Sequence, residues 1–445
     1  MTHRHERLLE VGSLARVEGE GALRVVLEEG RVTEAKLNIY EPPRFFEAFL
    51  RGRAYTEPPD ITARVCGICP VAYQISACRA IEDACGAEVP EPISALRRLL
   101  YCGEWVESHA LHIYLLHAPD FLGYPDAVEL AREHKAIVAR GLALKKLGND
   151  LVEVVGGRAI HPVNVRIGGF HRAPTRTELA ALGKRLDAAA DAALETVRWV
   201  STFDFPDFSI SHPLLALDGT RPRGVGVEDC YPIDGGNGVV TTAGIGFPLT
   251  EFESFITESQ VPHSTALHAS LRGVGTYLTG PLARYALAGS RLGPSARHAA
   301  AMAGLGAIER NPFRSIVVRA VEIVQAVDEA RALIEAYDPP DPPFIPVEPR
   351  PGRGHGASEA PRGLLYHRYD LAEDGTVTAA RIVPPTSQNQ AAIESDLRRV
   401  VQGLLRHEPE TSDAHLAEHC EEAIRNYDPC ISCSAHFLDL SVERR

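Results

Sequence analysis

The 445-residue chain has no run of about 18 apolar residues, the length a membrane-crossing helix needs. Its start, Met1-Thr2-His3-Arg4-His5-Glu6-Arg7, leads into no apolar stretch long enough for a secretory signal. It also lacks a basic run. Lys and Arg number 46 against 59 Asp and Glu, for a net charge of −13, so the electrostatic footprint of a nucleic-acid binder is missing. Neither a GxGxxG nor a P-loop fingerprint occurs, which argues against nucleotide binding by this chain itself, and there is no internal repeat. The nine cysteines are an odd number without a recognisable signal sequence. That favours reduced thiols and a cytoplasmic location over a disulfide framework. Hydrophobic residues make up 45% of the chain, enough for one large core or two domains.

Periodicity gives the coarse organisation. Ala22–Leu27 and Val32–Ile39 are strand-like and flank Glu29-Gly30, which predicts a hairpin over 19–41 within a β-rich part at 1–60. After Pro90 and Pro92, Leu96, Leu99, Gly103, Val106, Ala110 and Ile113 recur at steps of three and four, the mark of one buried helical face. Thr175-Arg176-Thr177-Glu178 fits a capping box ahead of Leu179, Leu182 and Leu186. Residues 125–155, 294–337 and 390–425 are expected to be mainly helical. Residues 203–270 are expected to form a small α+β insertion. Residues 338–361, rich in Pro and Gly, are expected to form a long irregular connection.

Two CxxC pairs stand near opposite ends: Cys66-Gly67-Ile68-Cys69 and Cys430-Ile431-Ser432-Cys433, 361 positions apart from Cys69 to Cys430. A zinc ribbon closes its pairs over roughly 15–20 residues, so this closure needs a large folded core. Either pair alone suits a structural zinc site or a redox dithiol. Together they place four soft donors for nickel, iron or zinc. His436, three residues after Cys433, is a further candidate ligand, although an isolated His is more often a surface or packing residue.

The wording around these pairs resembles the large subunit of nickel–iron hydrogenases. The resemblance runs through Ala15-Arg16-Val17-Glu18-Gly19, Arg64-Val65-Cys66-Gly67-Ile68-Cys69, Ser108-His109-Ala110-Leu111-His112, Gly157-Arg158-Ala159-Ile160-His161-Pro162, Glu359-Ala360-Pro361-Arg362-Gly363 and Asp428-Pro429-Cys430-Ile431-Ser432-Cys433-Ser434-Ala435-His436. Cys-Pro-Val-Ala-Tyr and Ser-His-Ala-Leu-His are most similar to the cytoplasmic, bidirectional, NAD(P)-linked branch that includes sulfhydrogenases. Three positions depart from the membrane-linked members. Tyr73 stands in place of a His, Ser108 in place of an Asp, and Glu20 in place of a His. They alter hydrogen bonding around the centre, not its four ligands.

The resemblance implies an α+β, mainly helical fold with a long-helix core over 1–445, and reversible oxidation of dihydrogen. It implies Cys66 and Cys430 as terminal nickel ligands, and Cys69 and Cys433 as bridges to an iron carrying cyanide and carbon monoxide. Glu47, nineteen residues before Cys66, is expected to hold magnesium with His436 and a backbone carbonyl near Arg381. Pro361, Val383, Pro384 and Pro385 are expected to line the diatomic ligands. Cys430 or Arg362 is the expected base, Arg362 pairing bidentately with Asp428, and Glu18 the proton relay. Cys78, Cys85, Cys102, Cys230 and Cys420 lack cluster spacing, so no iron–sulfur cluster is expected in this chain. Electrons then leave through an iron–sulfur small subunit towards flavin- and NAD(P)-binding diaphorase subunits. Residues 437–445 are expected to be a tail removed by a maturation endopeptidase. A four-thiolate zinc scaffold and a metal-free hydrogenase-like subunit of a respiratory complex are the alternatives.

Overall fold

Glu29 and Gly30 both sit in the left-handed region, at φ 51° and 75°, the turn whose twist matches two antiparallel strands. They join Gly21–Glu28 to Arg31–Ile39, so the expected hairpin is present in the computed structural model, which describes residues 6–223 and 226–435. A further strand, Glu6–Val11, pairs antiparallel with Gly21–Glu28 and makes the unit a three-stranded sheet. The sequence hid it because Leu8 and Leu9 are adjacent and only Leu9 is buried, so no clear alternation is visible.

The helix Glu91–Leu111 starts on Pro90 and Pro92 and buries Leu96, Leu99, Val106 and Ala110, as the spacing requires. Ile113 falls in the π-helical turn His112–His117 that continues it, a local widening often found at functional sites. Helices Lys135–Gly156, Arg176–Val200 and Ser315–Glu335 pack into the same layer. Thr175 caps its helix as expected: its Oγ1 accepts from Glu178 N at 3.2 Å, and Glu178 accepts from Thr175 N at 2.6 Å. Ser315–Glu335 is buried without a break from Ser315 to Val327, which makes it the central helix. Residues 294–337 and 390–425 each resolve into two helices: Pro294–Met302 and Ser315–Glu335, then Pro385–His407 and Asp413–Arg425.

Residues 338–361 are irregular only as far as Pro351. Gly352–Ala360 is a strand, paired antiparallel with Gly363–Leu371, which in turn pairs with Val377–Val383. The glycines that suggested a loop serve close packing instead. A Cβ at Gly354 would lie 2.0 Å from the Ala80 carbonyl oxygen, and one at Gly356 2.4 Å from that of Ser76. Their absence lets the helix Pro70–Cys85 lie directly on this strand. Within 203–270, short strands at Leu214–Leu217, Gly238–Thr241 and Gly246–Pro248 form one sheet with Leu278–Thr279, and Ile256–Ser259 pairs with His268–Leu271. Among the described residues, no helix is long and apolar enough to cross a membrane.

Candidate metal centre

Cys66 lies between the short helix Pro58–Thr62 and the helix Pro70–Cys85, and Cys69 is the residue that caps the latter. Cys430 caps the four-residue helix Ile431–Ser434, which contains Cys433. Tertiary folding brings all four together. Their sulfurs are buried and lie within 4.8 Å of one another, with Cys66 Sγ 3.5 Å from Cys430 Sγ and Cys69 Sγ 3.6 Å from Cys433 Sγ. The amides of Ile68 and Cys69 donate to Cys66 Sγ at 3.2 and 3.4 Å. Hydrogen bonds from Cys430, Cys433 and Cys69 hold the Cys66 thiol well below its usual range. Burial, then contact with the other three sulfurs, pushes Cys430 well above it. Four thiolates cannot all ionise in so small a buried volume unless a cation neutralises them, so the donor set fits a soft, multiply charged metal centre.

Contacts distant in sequence hold the two pairs in register. Arg44 Nη2 donates to the Val65 carbonyl at 2.7 Å and also to that of Ser432, one bond to each CxxC segment. Arg44 N reaches the Ala435 carbonyl at 2.9 Å. Thr386 Oγ1 accepts from Cys430 N at 3.0 Å. The buried Glu104 accepts from Val71 N at 2.6 Å and Ala72 N at 3.2 Å, capping the helix that follows Cys69. Sequence reasoning missed Arg44, Thr386 and Glu104. Only Glu104 left a trace, as a charged residue within an otherwise buried helical face.

Glu18 reaches the centre through its backbone as well as its side chain. Its carbonyl accepts from Ile431 N at 3.0 Å, and its Oε2 lies 3.0 Å from Cys430 Sγ and 3.1 Å from Ser432 N. Ser432 Oγ donates to Glu41 Oε2 at 2.9 Å. Gly19, at φ 87°, is required here: a Cβ would meet Glu41 Oε2 at 2.7 Å and Ile431 Cβ at 2.8 Å.

Arg362 and Asp428 are buried together, at 2% and 3% exposure. The pairing differs from the expected carboxylate fork. Nη2 donates to Asp428 Oδ1 at 3.1 Å, but Nε donates to the Asp428 backbone carbonyl at 2.8 Å. Asp428 is left-handed at φ 49°, so its carbonyl and its side chain are both presented to one guanidinium. Arg362 Nη1 and Tyr73 Oη have no hydrogen-bond partner among the described residues. Burial alone would lower the Arg362 pKa, but Asp428 and the thiolates of Cys430, Cys69 and Cys66 outweigh it, and the guanidinium stays charged.

Residues 44–150 match the family model for nickel-dependent hydrogenases. Sulfhydrogenase 1 subunit alpha of Pyrococcus furiosus is 34% identical over 97% of this chain and 98% of its own length. Sulfhydrogenase 2 subunit alpha of the same organism is 32% identical over 97% and 100%. The chain belongs to the nickel-dependent hydrogenase family. The crystal structure of an NAD+-reducing nickel–iron hydrogenase in the H2-reduced state superposes with a TM-score of 0.87 at 27% identity, covering 97% of this chain and 99% of that one. The protein is a catalytic large subunit of a nickel–iron hydrogenase, an oxidoreductase acting on dihydrogen.

Pro361 is in the turn between Gly352–Ala360 and Gly363–Leu371. Arg284 holds that turn: its guanidinium donates to the carbonyls of Ala360 and Pro361, each at 3.0 Å, and pairs with Glu359 and Glu322 while lying over Trp105. Val383 ends its strand, and Pro384 and Pro385 open the helix that bears Thr386. Glu47 is buried and accepts from Ile382 N at 2.7 Å, beside Arg381. The Arg381 side chain is paired with Glu258, which sequence reasoning did not find, and stands 3.9 Å from Glu47. Burial, partly offset by Arg381, raises Glu258 to about 7. His436 and the tail 437–445 lie outside the described residues. Burial, then the thiolates, keep Tyr73 a phenol well above its usual range. Ser108 is buried and Glu20 is exposed.

Proposed function

We propose that Cys66, Cys69, Cys430 and Cys433 hold the nickel–iron centre, with Cys66 and Cys430 terminal on nickel and Cys69 and Cys433 shared with an iron that carries cyanide and carbon monoxide. One observation carries this reading: four buried sulfurs converge within 4.8 Å, and a carboxylate oxygen lies 3.0 Å from one of them. When bound, the centre supplies the Lewis-acid and redox chemistry by which dihydrogen is split and its electron pair carried away. The chain's own residues manage the two protons released, each in turn by the same route. Cys430 Sγ takes each proton first, because it is the sulfur that lies beside the Glu18 carboxylate. Glu18 Oε2 receives it across 3.0 Å. Glu41, joined to the Cys430 segment through Ser432, is the next carboxylate outward and is half-buried. The same route run inwards serves proton reduction.

Arg362 acts as a fixed positive charge beside the thiolates, not as the base, and Asp428 positions it from two directions. Pro361, Val383, Pro384 and Pro385 present an apolar wall to the small ligands of iron. Glu47 binds magnesium together with His436 and the backbone near Arg381. The hydrogen bond from Ile382 N to buried Glu47 supports that placement. Electrons leave through an iron–sulfur small subunit. The likeness to an NAD+-reducing enzyme supports flavin and NAD(P) subunits beyond it, in the cytoplasm. A maturation endopeptidase removes residues 437–445, and intact mass of the active enzyme checks this: activity in protein still ending at Arg445 refutes cleavage.

Metal analysis and infrared spectroscopy on the purified complex test the centre. The expected result is about one nickel and one additional iron assignable to this subunit, following the softness of four thiolates. Cyanide and carbon monoxide bands should accompany them. Cys69→Ser and Cys433→Ser should each abolish them, because a ligand shared by both metals is lost. Stoichiometric zinc without those bands refutes the assignment.

A further inference from the structure

Away from the thiolates, a second group of metal-ligating side chains converges on the helix Pro385–His407. His263 lies in the connection between strands Ile256–Ser259 and His268–Leu271, and His268 opens the second of these. Both imidazoles face Glu394, on the helix. His263 Nε2 is 2.7 Å from Glu394 Oε1, and His268 Nε2 is 3.7 Å from the same oxygen. One ligand atom from each residue falls within 4.8 Å of the other two. The two rings also touch edge to face, with centroids 5.6 Å apart.

We propose that His263, His268 and Glu394 form a second metal site that takes one zinc-class divalent cation, independent of the nickel–iron centre. Two features favour a cation over a simple His–carboxylate hydrogen bond. His268 Nε2 is shielded from solvent and has no hydrogen-bond partner among the described residues, so a buried nitrogen is left unsatisfied. The donor set is two imidazoles and a carboxylate, which suits zinc or its neighbours and not the hard cations magnesium and calcium.

The distances are close to what coordination needs. Ligand bonds of about 2.0–2.1 Å in a tetrahedron place donor atoms about 3.3 Å apart. Here His263 and Glu394 would separate slightly, and His268 would approach by a few tenths of an ångström. Glu394 is oriented from behind, because its Oε1 also accepts from Leu37 N at 3.0 Å. The nearby cation Lys36 is engaged by Glu34 at 2.7 Å. All three ligands are partly exposed, so a cation can enter and a water can complete the shell. The cation would fasten the Ile256–Leu271 hairpin to the helix whose first turn carries Pro385 and Thr386.

Cobalt(II) titration of the intact, chelator-washed hydrogenase complex tests the site, with the thiolates occupied by native nickel and iron. The expected result is one extra cobalt per large subunit, with visible ligand-field bands and no new thiolate charge-transfer band. Zinc should displace it. His268→Gln and Glu394→Gln should each weaken binding at least a hundredfold while nickel and iron content stays unchanged. If either variant loses nickel or iron, His263→Gln, which changes a residue of the connection outside both strands, provides the same readout. The proposal is overturned if wild-type complex takes up no additional cobalt at millimolar concentration, if the bound cobalt shows thiolate charge transfer, or if the substitutions leave uptake intact.

Discussion

Replacing Glu18 by Gln separates proton transfer from architecture. The glutamine side chain has the size of glutamate; its amide oxygen can accept from Ser432 N, the contact at 3.1 Å, and it still fills the space 3.0 Å from Cys430 Sγ. The backbone bond from Ile431 N to the Glu18 carbonyl does not involve the side chain at all. Glu18→Gln should therefore keep the thiolate cluster and its metals. What it loses is an oxygen able to take a proton and pass it on. Loss of a positioned acid–base group costs roughly 10²- to 10⁴-fold in rate. At about 1.36 kcal/mol per decade this is about 3–5 kcal/mol of barrier. Dihydrogen oxidation and proton–deuterium exchange should fall together, on a preparation whose nickel content and infrared bands match wild type. Glu41→Gln, at a half-buried position that water can bypass, should cost less than about tenfold on the same scale. Wild-type exchange in a fully metallated Glu18→Gln variant refutes the relay. Loss of metal in step with activity shows that Glu18 is structural.

Three further outcomes are expected. Arg362→Lys keeps one charge but cannot reach both the Asp428 carbonyl and its carboxylate; turnover should drop at least about tenfold with infrared bands unchanged, and full activity removes Arg362 from the mechanism. Gly19→Ala forces a Cβ to within 2.7 Å of Glu41 Oε2 and 2.8 Å of Ile431 Cβ at a left-handed backbone; nickel occupancy should fall, and normal assembly shows that this approach is not tight. Burial, only partly offset by Lys145, raises Glu107 from 4.5 to about 7. The folded state therefore holds that proton more tightly than the unfolded chain. Its stabilising contribution is complete below pH 4.5 and is lost as pH rises through 7, by about 3 kcal/mol. Glu107→Gln should flatten the fall in thermal midpoint between pH 5 and 8, and an unchanged slope refutes the assignment.

Local rules made part of this protein legible from its residues. The Glu29-Gly30 turn, the Thr175 capping box and the buried stripe of Glu91–Leu111 depend on neighbours within a few positions, where backbone conformation and side-chain spacing suffice. The CxxC pairs, Glu18 and Arg362 stood out because their motifs are specific, and folding brings the four cysteines into one group. Three things were beyond the sequence. The glycines of 352–360 look like loop residues until a helix is laid against them. The Arg362–Asp428 geometry depends on a left-handed aspartate. Arg44, Thr386, Glu104, Glu258 and the His263–His268–Glu394 group acquire meaning only from partners far away in the chain. The physical reason is one of range. Turn, cap and amphipathic preferences act over one to four residues, whereas a buried donor or charge is satisfied by whatever the packed core brings within about 3 Å of it, and that is fixed only when the whole chain has closed.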